Sequence, residues 1–155
     1  CVVDERSRSI FTGDTFGLSY RELDSERGAF VLPTTTPVQF EPEALHASIG
    51  RLLDERPQQA FLTHFGRVTE LARLADDLHV LIDLFVAMAR PLRDAGAERI
   101  AQLIEGQRQI LLPRLAAHRC RLTTEQIDTL LAGDYELNAQ GMAVWLDRER
   151  RAVTG

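Results

Sequence analysis

The sequence predicts an α/β (α+β) fold that gives way to an all-helical C-terminal region. Three observations predict it. Two short apolar runs, each followed by a glycine, flank one helical stretch, an order of strand, helix and strand that belongs to α/β folds. Beyond Val68, apolar residues recur at three- and four-residue intervals through most of the remaining chain. The 155 residues, 45% hydrophobic and 26% charged, suit about one globular domain.

The opening "CVVDERSRSIF" reads as a hairpin. Val2 and Val3 are β-branched, "DERS" is a polar turn, and Ser9 to Thr12 is the returning strand. The chain thus begins inside a strand, so it is expected to be the later part of something longer. Gly13 and Asp14 end the hairpin's second strand, and a polar, irregular stretch follows to about Gly28. "AFVLP" is a short apolar piece, and "PTTTPVQFEP", with its three prolines, must be extended or turning.

From Glu43 to about Asp54, Leu45, Ile49, Leu52 and Leu53 fall at helical spacing, and Pro57 closes that region. "QQAFLTHFG" reads as a buried strand, Ala60 to Thr63, running into His64 and stopped by Gly66. A long amphipathic helix follows, with Leu71, Leu74, Leu78, Leu81, Ile82, Phe85 and Met88 on one side and Asp76, Asp77 and Asp83 on the other. Pro91 ends it or starts the next helix. That next helix carries Ile100, Leu103, Ile104, Ile110, Leu111 and Leu115, and Pro113 is expected to kink or break it. Thr123 and Gln126 form a capping box that opens a short helix closed by Gly133. Asn138 is expected to cap a last helix through Val144, Trp145 and Leu146 to the charged "DRERR".

Charge and composition narrow the function classes. The formal net charge is -5, from 23 Asp and Glu against 18 Lys and Arg, and the cations are scattered. No basic stripe with interleaved aromatics appears, so nucleic acid is not an expected partner. No apolar run reaches the ~18 residues of a membrane span. Cys1 and Cys120 sit far apart, make no disulfide framework and read as small apolar residues, which points to a reducing cytoplasm.

The residues that carry chemistry stand at the two strand ends. Gly13 and Gly66 let the backbone turn sharply there, so Asp14 and His64 can project beyond the sheet edge. A carboxylate and a neutral imidazole converging at one edge suit a divalent metal, with ligand distances near ~2.0–2.2 Å. A carboxylate can also bridge two cations, one oxygen each. Taken alone, an Asp after a strand such as Asp14 is usually a turn-forming residue or a helix cap, and His64 fits a satisfied core histidine.

"IFTGDTFG", followed some fifty residues later by "AFLTHFGRV", resembles the second half of a metallo-β-lactamase-fold hydrolase. In that superfamily a "TGD" at a strand end supplies the aspartate that bridges two metals, and a later strand supplies the last histidine ligand. The intervening "VLPTTTPVQFEPEALHASIGRLL" is similar to the loop and helix those proteins place between the two ligands. The resemblance covers residues 1–67 and implies the C-terminal half of an αββα sandwich; residues 68–155 resemble the family's helical C-terminal extensions only in kind. Its "TGDT" is closer to the glyoxalase II-like branch than to the nuclease branch.

The resemblance implies Asp14 as the bridging catalytic carboxylate and His64 as the terminal metal ligand. It implies two divalent ions, zinc first and iron or manganese next, and hydrolysis through a metal-bound hydroxide. The bond cleaved would be an ester, thioester, lactone or related one. The loops after the two strands put Thr15, Tyr20, Phe65 and Arg67 at the rim of a small-molecule substrate pocket. Phe65 and Tyr20 fit core packing as well, and Arg67 could meet an anionic substrate or pair with an acid.

The His-x-His-x-Asp-His cluster that supplies most ligands in the family is missing. His46, His79 and His118 stand in no such spacing. His79 and Asp83 share the i, i+4 spacing of a metal pair or of a solvated ion pair, and His118 lies near a helix C-terminus. The N-terminal half of the same domain is therefore an expected partner. The alternative is a non-catalytic helical interaction module docking through the Leu71–Met88 stripe, and a homodimer through the helical region fits either reading.

Overall fold

The computed structural model describes residues 1–35, 40–64 and 66–154. It is a mixed α+β structure of one four-stranded sheet and four helices. The strands are β1 (Val2–Asp4), β2 (Ser9–Gly13), β3 (Gln59–Leu62) and β4 (Gly66–Val68), and they lie side by side in chain order. β1 and β2 form the expected hairpin. β2 and β3 run parallel, and a parallel pair needs a crossover. Helix α1 (Pro42–Asp54) supplies it, and Pro42 at its first turn costs no hydrogen bond.

The expected strand stop at Gly66 is corrected. Gly66 opens β4, which folds back antiparallel on β3 with Leu62 opposite Gly66 and Ala60 opposite Val68. The reason is burial: Val68, at 2% exposure, completes the apolar face that Ala60 and Leu62 begin. His64 consequently sits in the β3–β4 turn.

Helix α2 (Leu71–Ala89) follows the expected periodicity closely. Leu71, Leu74, Leu78, Leu81, Ile82 and Phe85 are all buried, whereas Asp76 and Asp83 are exposed. Its stripe packs on the chain's own sheet and helices. One cluster joins it to Ile10, Phe16, Ile49 and Leu62, and a second joins it to Leu18, Phe30 and the two later helices. Both clusters cross residue 67, so the sheet region and the helical region share their cores.

Two breaks expected in the helical region do not occur. Helix α3 (Arg99–Ala117) runs through Pro113, which lies on its exposed side between buried Leu111 and Leu115. Helix α4 (Thr124–Thr154) is continuous over 31 residues, so Gly133 does not close a helix and Asn138 does not cap one. Ile127, Leu131, Tyr135, Ala139, Met142 and Leu146 form one buried stripe that crosses Gly133. Burial on that scale outweighs the ~1 kcal/mol cost of a mid-helix glycine. The capping box does form: Gln126 N–H donates to Thr123 Oγ1 at 3.3 Å, and Thr123 N–H donates to Gln126 Oε1 at 2.9 Å.

Asn138 instead works as a buried tie. Thr35 N–H donates to its Oδ1 at 2.7 Å, and its Nδ2 donates to Pro33 O at 3.2 Å. Thr35 Oγ1 donates to the Asn138 carbonyl at 2.8 Å. These bonds pin the loop between Gly28 and α1 to the long helix. Part of the proline-rich stretch read as extended, residues 36–39, lies outside the described residues.

Candidate metal centre

The site is assembled by strand order. Neighbouring strands lie ~4.8 Å apart, and parallel neighbours end at the same edge. In β2 and β3 Gly13 stands opposite Leu62, after a register irregularity between Phe11 and Gly13. Asp14 is the next residue beyond β2, and His64 is two beyond β3. Gly13 has φ 57 and ψ -145, a region open essentially to glycine alone, and it turns Asp14 out of the strand. Asp14 then begins a short 3-10 turn, Asp14–Phe16, braced by a hydrogen bond from Gly17 N–H to Asp14 O. Gly17 is fixed in turn: a Cβ there would lie 2.3 Å from the Leu32 carbonyl oxygen.

Asp14 Oδ1 and His64 Nε2 lie 3.8 Å apart, and both side chains are about half exposed, at 51% and 54%. Two ligands each ~2.1 Å from one cation stand ~3.4 Å apart in a tetrahedral arrangement, and up to ~4.2 Å when opposed. A spacing of 3.8 Å therefore fits a shared divalent ion. Among the described residues no group of three or more His, Cys, Asp and Glu forms a metal-binding cluster. Asp14 and His64 are the two candidate ligands at this edge, and their spacing fits one shared cation.

A cavity of about 240 Å³ opens beside Asp14, lined by Thr15, Thr34, Phe40, Leu45 and Ser48 among others. Thr34 Oγ1 donates to the Asp14 carbonyl at 3.1 Å, which joins the cavity wall to the ligand's backbone. Thr15 lines this cavity. Tyr20 is half-buried and is not among that cavity's lining residues; its hydroxyl donates to Asp134 Oδ2 of α4 at 2.7 Å. Arg67 is not among this cavity's lining residues, and its Nη1 donates to Gln59 Oε1 at 3.0 Å, at the start of β3. Phe65 lies outside the described residues.

Asp134 is the carboxylate the sequence reading missed. Burial raises its pKa above the usual carboxylate range, against the opposing pull of the Tyr20 hydrogen bond and the nearby His64 imidazole. Burial, with the Asp134 hydrogen bond and charge, raises the Tyr20 phenol further above its ordinary value. Helix α4 thus reaches the surroundings of His64. Only a contact map could have found Asp134, because it lies 70 positions beyond His64 on a helix read as ending at Gly133. Thr34 and Ser48 carry no signal in the letters either.

The remaining histidines lie elsewhere. His46 of α1 stacks on His79 of α2 with ring centroids 4.8 Å apart and Nδ1 atoms 2.6 Å apart. Asp83 meets His46 Nε2 at 3.1 Å rather than pairing with His79 along the helix. His118 caps the end of α3 and donates from Nε2 to Gly28 O at 3.1 Å.

Comparison with protein families, with curated proteins and with solved structures finds no match. No helix among the described residues is long and apolar enough to cross a membrane.

Proposed function

We propose that this chain is the second half of a metallo-β-lactamase-fold metallohydrolase, of the glyoxalase II-like branch, carrying the later ligands of a dinuclear site. The observation that carries the reading is the meeting of Asp14 and His64 at 3.8 Å, fifty positions apart in the chain, at the ends of adjacent parallel strands. The substrate would be a small molecule with an ester, thioester, lactone or related bond.

In this reading the Asp14 carboxylate would hold the divalent cations together with the His64 imidazole. Zinc suits this donor pair best, with iron or manganese next. The chemistry such cations supply when bound is a water made nucleophilic near neutral pH and polarisation of the bond to be cleaved. The chain's own residues do the rest. Asp14 is aimed by Gly13 and braced through its carbonyl by Thr34. The hydroxyls of Thr15, Thr34 and Ser48 offer hydrogen bonds to a substrate in the cavity, and Phe40 and Leu45 exclude water from its apolar side. Asp134, held by Tyr20, places a carboxylate in the neighbourhood of His64.

The sheet supports a partner that is the other half of the domain. One face is covered by α1 and α2 through Ile10, Ala60, Leu62 and Val68. On the opposite face Phe11, 48% exposed, stacks on Phe61 at 5.0 Å, and Val2, its partner across β1 and β2, is exposed beside it. A second sheet laid over that face would complete the αββα sandwich.

The test is hydrolysis by this chain joined to the preceding half of the domain, assayed on thioester, lactone and aryl ester substrates. Metal-dependent turnover is expected, with Asp14→Ala and His64→Ala each lowering kcat/KM at least ~100-fold. Turnover that survives both substitutions and a chelator would contradict the proposal.

A further inference from the structure

Helices α2 and α3 and the loop before β3's crossover helix enclose a second cavity of about 250 Å³, which shares no residue with the Asp14 cluster. Three arginines line it: Arg27 from the loop, Arg73 from α2 and Arg114 from α3. Such a convergence stands out in a chain whose net charge is -5. Like charges gathered in one concavity repel unless an anion offsets them.

The local carboxylates account for only one of the three. Arg73 Nη1 donates to Asp77 Oδ2 at 3.0 Å, and its Nη2 donates to Ala29 O at 3.1 Å and Glu70 Oε2 at 3.3 Å. These bonds hold the guanidinium still. Its Nε–H is nevertheless buried without an acceptor. The guanidiniums of Arg27 and Arg114 have no hydrogen bond or ion pair with any described residue. Asp77 and Glu70 both lie on Arg73, so Arg27 and Arg114 are the two guanidiniums of the lining without a carboxylate partner among the described residues.

The other walls are apolar and fixed. Phe30 and Leu81 are buried, and the His118 ring meets Phe30 edge-on at 5.3 Å. His118 donates to Gly28 O, and Ser25 Oγ donates to the His118 carbonyl at 2.5 Å, so loop and helix end are tied together at the cavity mouth.

We infer that this cavity binds the phosphate group of a small organic phosphate monoester. A dianion can meet the guanidiniums of both Arg27 and Arg114. A tetrahedral phosphate presents oxygens in more than one plane, so Arg27 and Arg114, arriving from different elements, can both engage it. A planar carboxylate would be taken up by one guanidinium fork and leave the other unpaired. Phe30, Leu81 and Ala117 offer the organic part of the ester an apolar wall.

Calorimetric titration of the 155-residue chain with phenyl phosphate, inorganic phosphate and acetate tests the inference. Phenyl phosphate is expected to bind tighter than inorganic phosphate, and acetate at least ~10-fold more weakly than either. Arg27→Gln and Arg114→Gln should each weaken phosphate binding about tenfold. Arg27 is exposed on a loop, so its replacement leaves the packing intact, and an unchanged melting curve in ligand-free buffer checks that. Affinity should also fall steeply as chloride rises. Phosphate binding that is unaffected by Arg27→Gln and Arg114→Gln, acetate binding as tight as phosphate, inorganic phosphate binding with no binding of the ester, or binding only to anionic lipid vesicles would each overturn it.

Discussion

Single hydrogen bonds decide how the candidate site is held. Tyr20 and Asp134 bind the loop after Asp14 to α4, joining residues 114 apart in the chain. Replacing Tyr20 by Phe leaves a half-buried carboxylate without its donor and should cost roughly 1–2 kcal/mol, less than a fully buried charged bond because water reaches the pair. Urea unfolding of the two proteins measures it. The histidines set a pH dependence at the same scale. Burial lowers the pKa of His79, helped by the His46 charge and opposed by Asp76 and Asp83. Burial likewise lowers that of His118, with the Arg73 charge in the same direction and the Gly28 hydrogen bond against it. A base whose folded pKa lies below its unfolded value takes up its proton on unfolding. The stability these rings contribute is therefore complete above the unfolded value of ~6.5 and is lost as pH falls through the folded values. Melting temperature should rise between pH 5 and pH 7, and His79→Asn should flatten that rise; an unchanged slope in the variant would contradict the assignment.

At the level of elements, the helical region is tied to the sheet region by α4, and Asn138 is the clearest tie. Asn138→Leu would leave the Thr35 N–H and the Pro33 carbonyl unpaired in the interior, at about 1–3 kcal/mol for each group. A loss below 1 kcal/mol in denaturant unfolding would show that the loop is held by other contacts. The same helix marks where the sequence was legible and where it was not. Leu71 to Met88 could be read because its apolar period is unbroken and its burial follows it. The hairpin, the α1 crossover and the Thr123–Gln126 cap could be read because each depends on near neighbours. Gly133 and Pro113 misled because local punctuation competes with a buried stripe that only tertiary packing reveals, and in both helices packing wins. β4 was missed for a related reason: three residues after a glycine carry no period, and only their pairing with β3 makes them a strand. Asp14 and His64 were legible as strand-end residues, whereas Asp134 depends on a helix passing over the sheet edge.

The whole molecule combines a closed side and an open one. Two apolar clusters join sheet, crossover helix and helical region into a shared interior. The described residues leave Phe11, stacked on Phe61, 48% exposed on one sheet face, and the Asp14–His64 pair sits at the edge of that same sheet. In the function proposed above, Asp14 and His64 alone should hold metal weakly, and tightly once the other half of the domain adds its own ligands, because each further ligand is prepositioned. The most direct measurement is a zinc titration of the 155-residue chain followed by two-dimensional NMR of backbone amides and histidine rings. The account predicts perturbations centred on Gly13, Asp14 and His64, in fast exchange at high micromolar to millimolar zinc, order-of-magnitude weak for a two-ligand site, and abolished by Asp14→Ala or His64→Ala. Perturbations confined to His46 and His79, with Asp14 and His64 unmoved at saturating zinc, would contradict it.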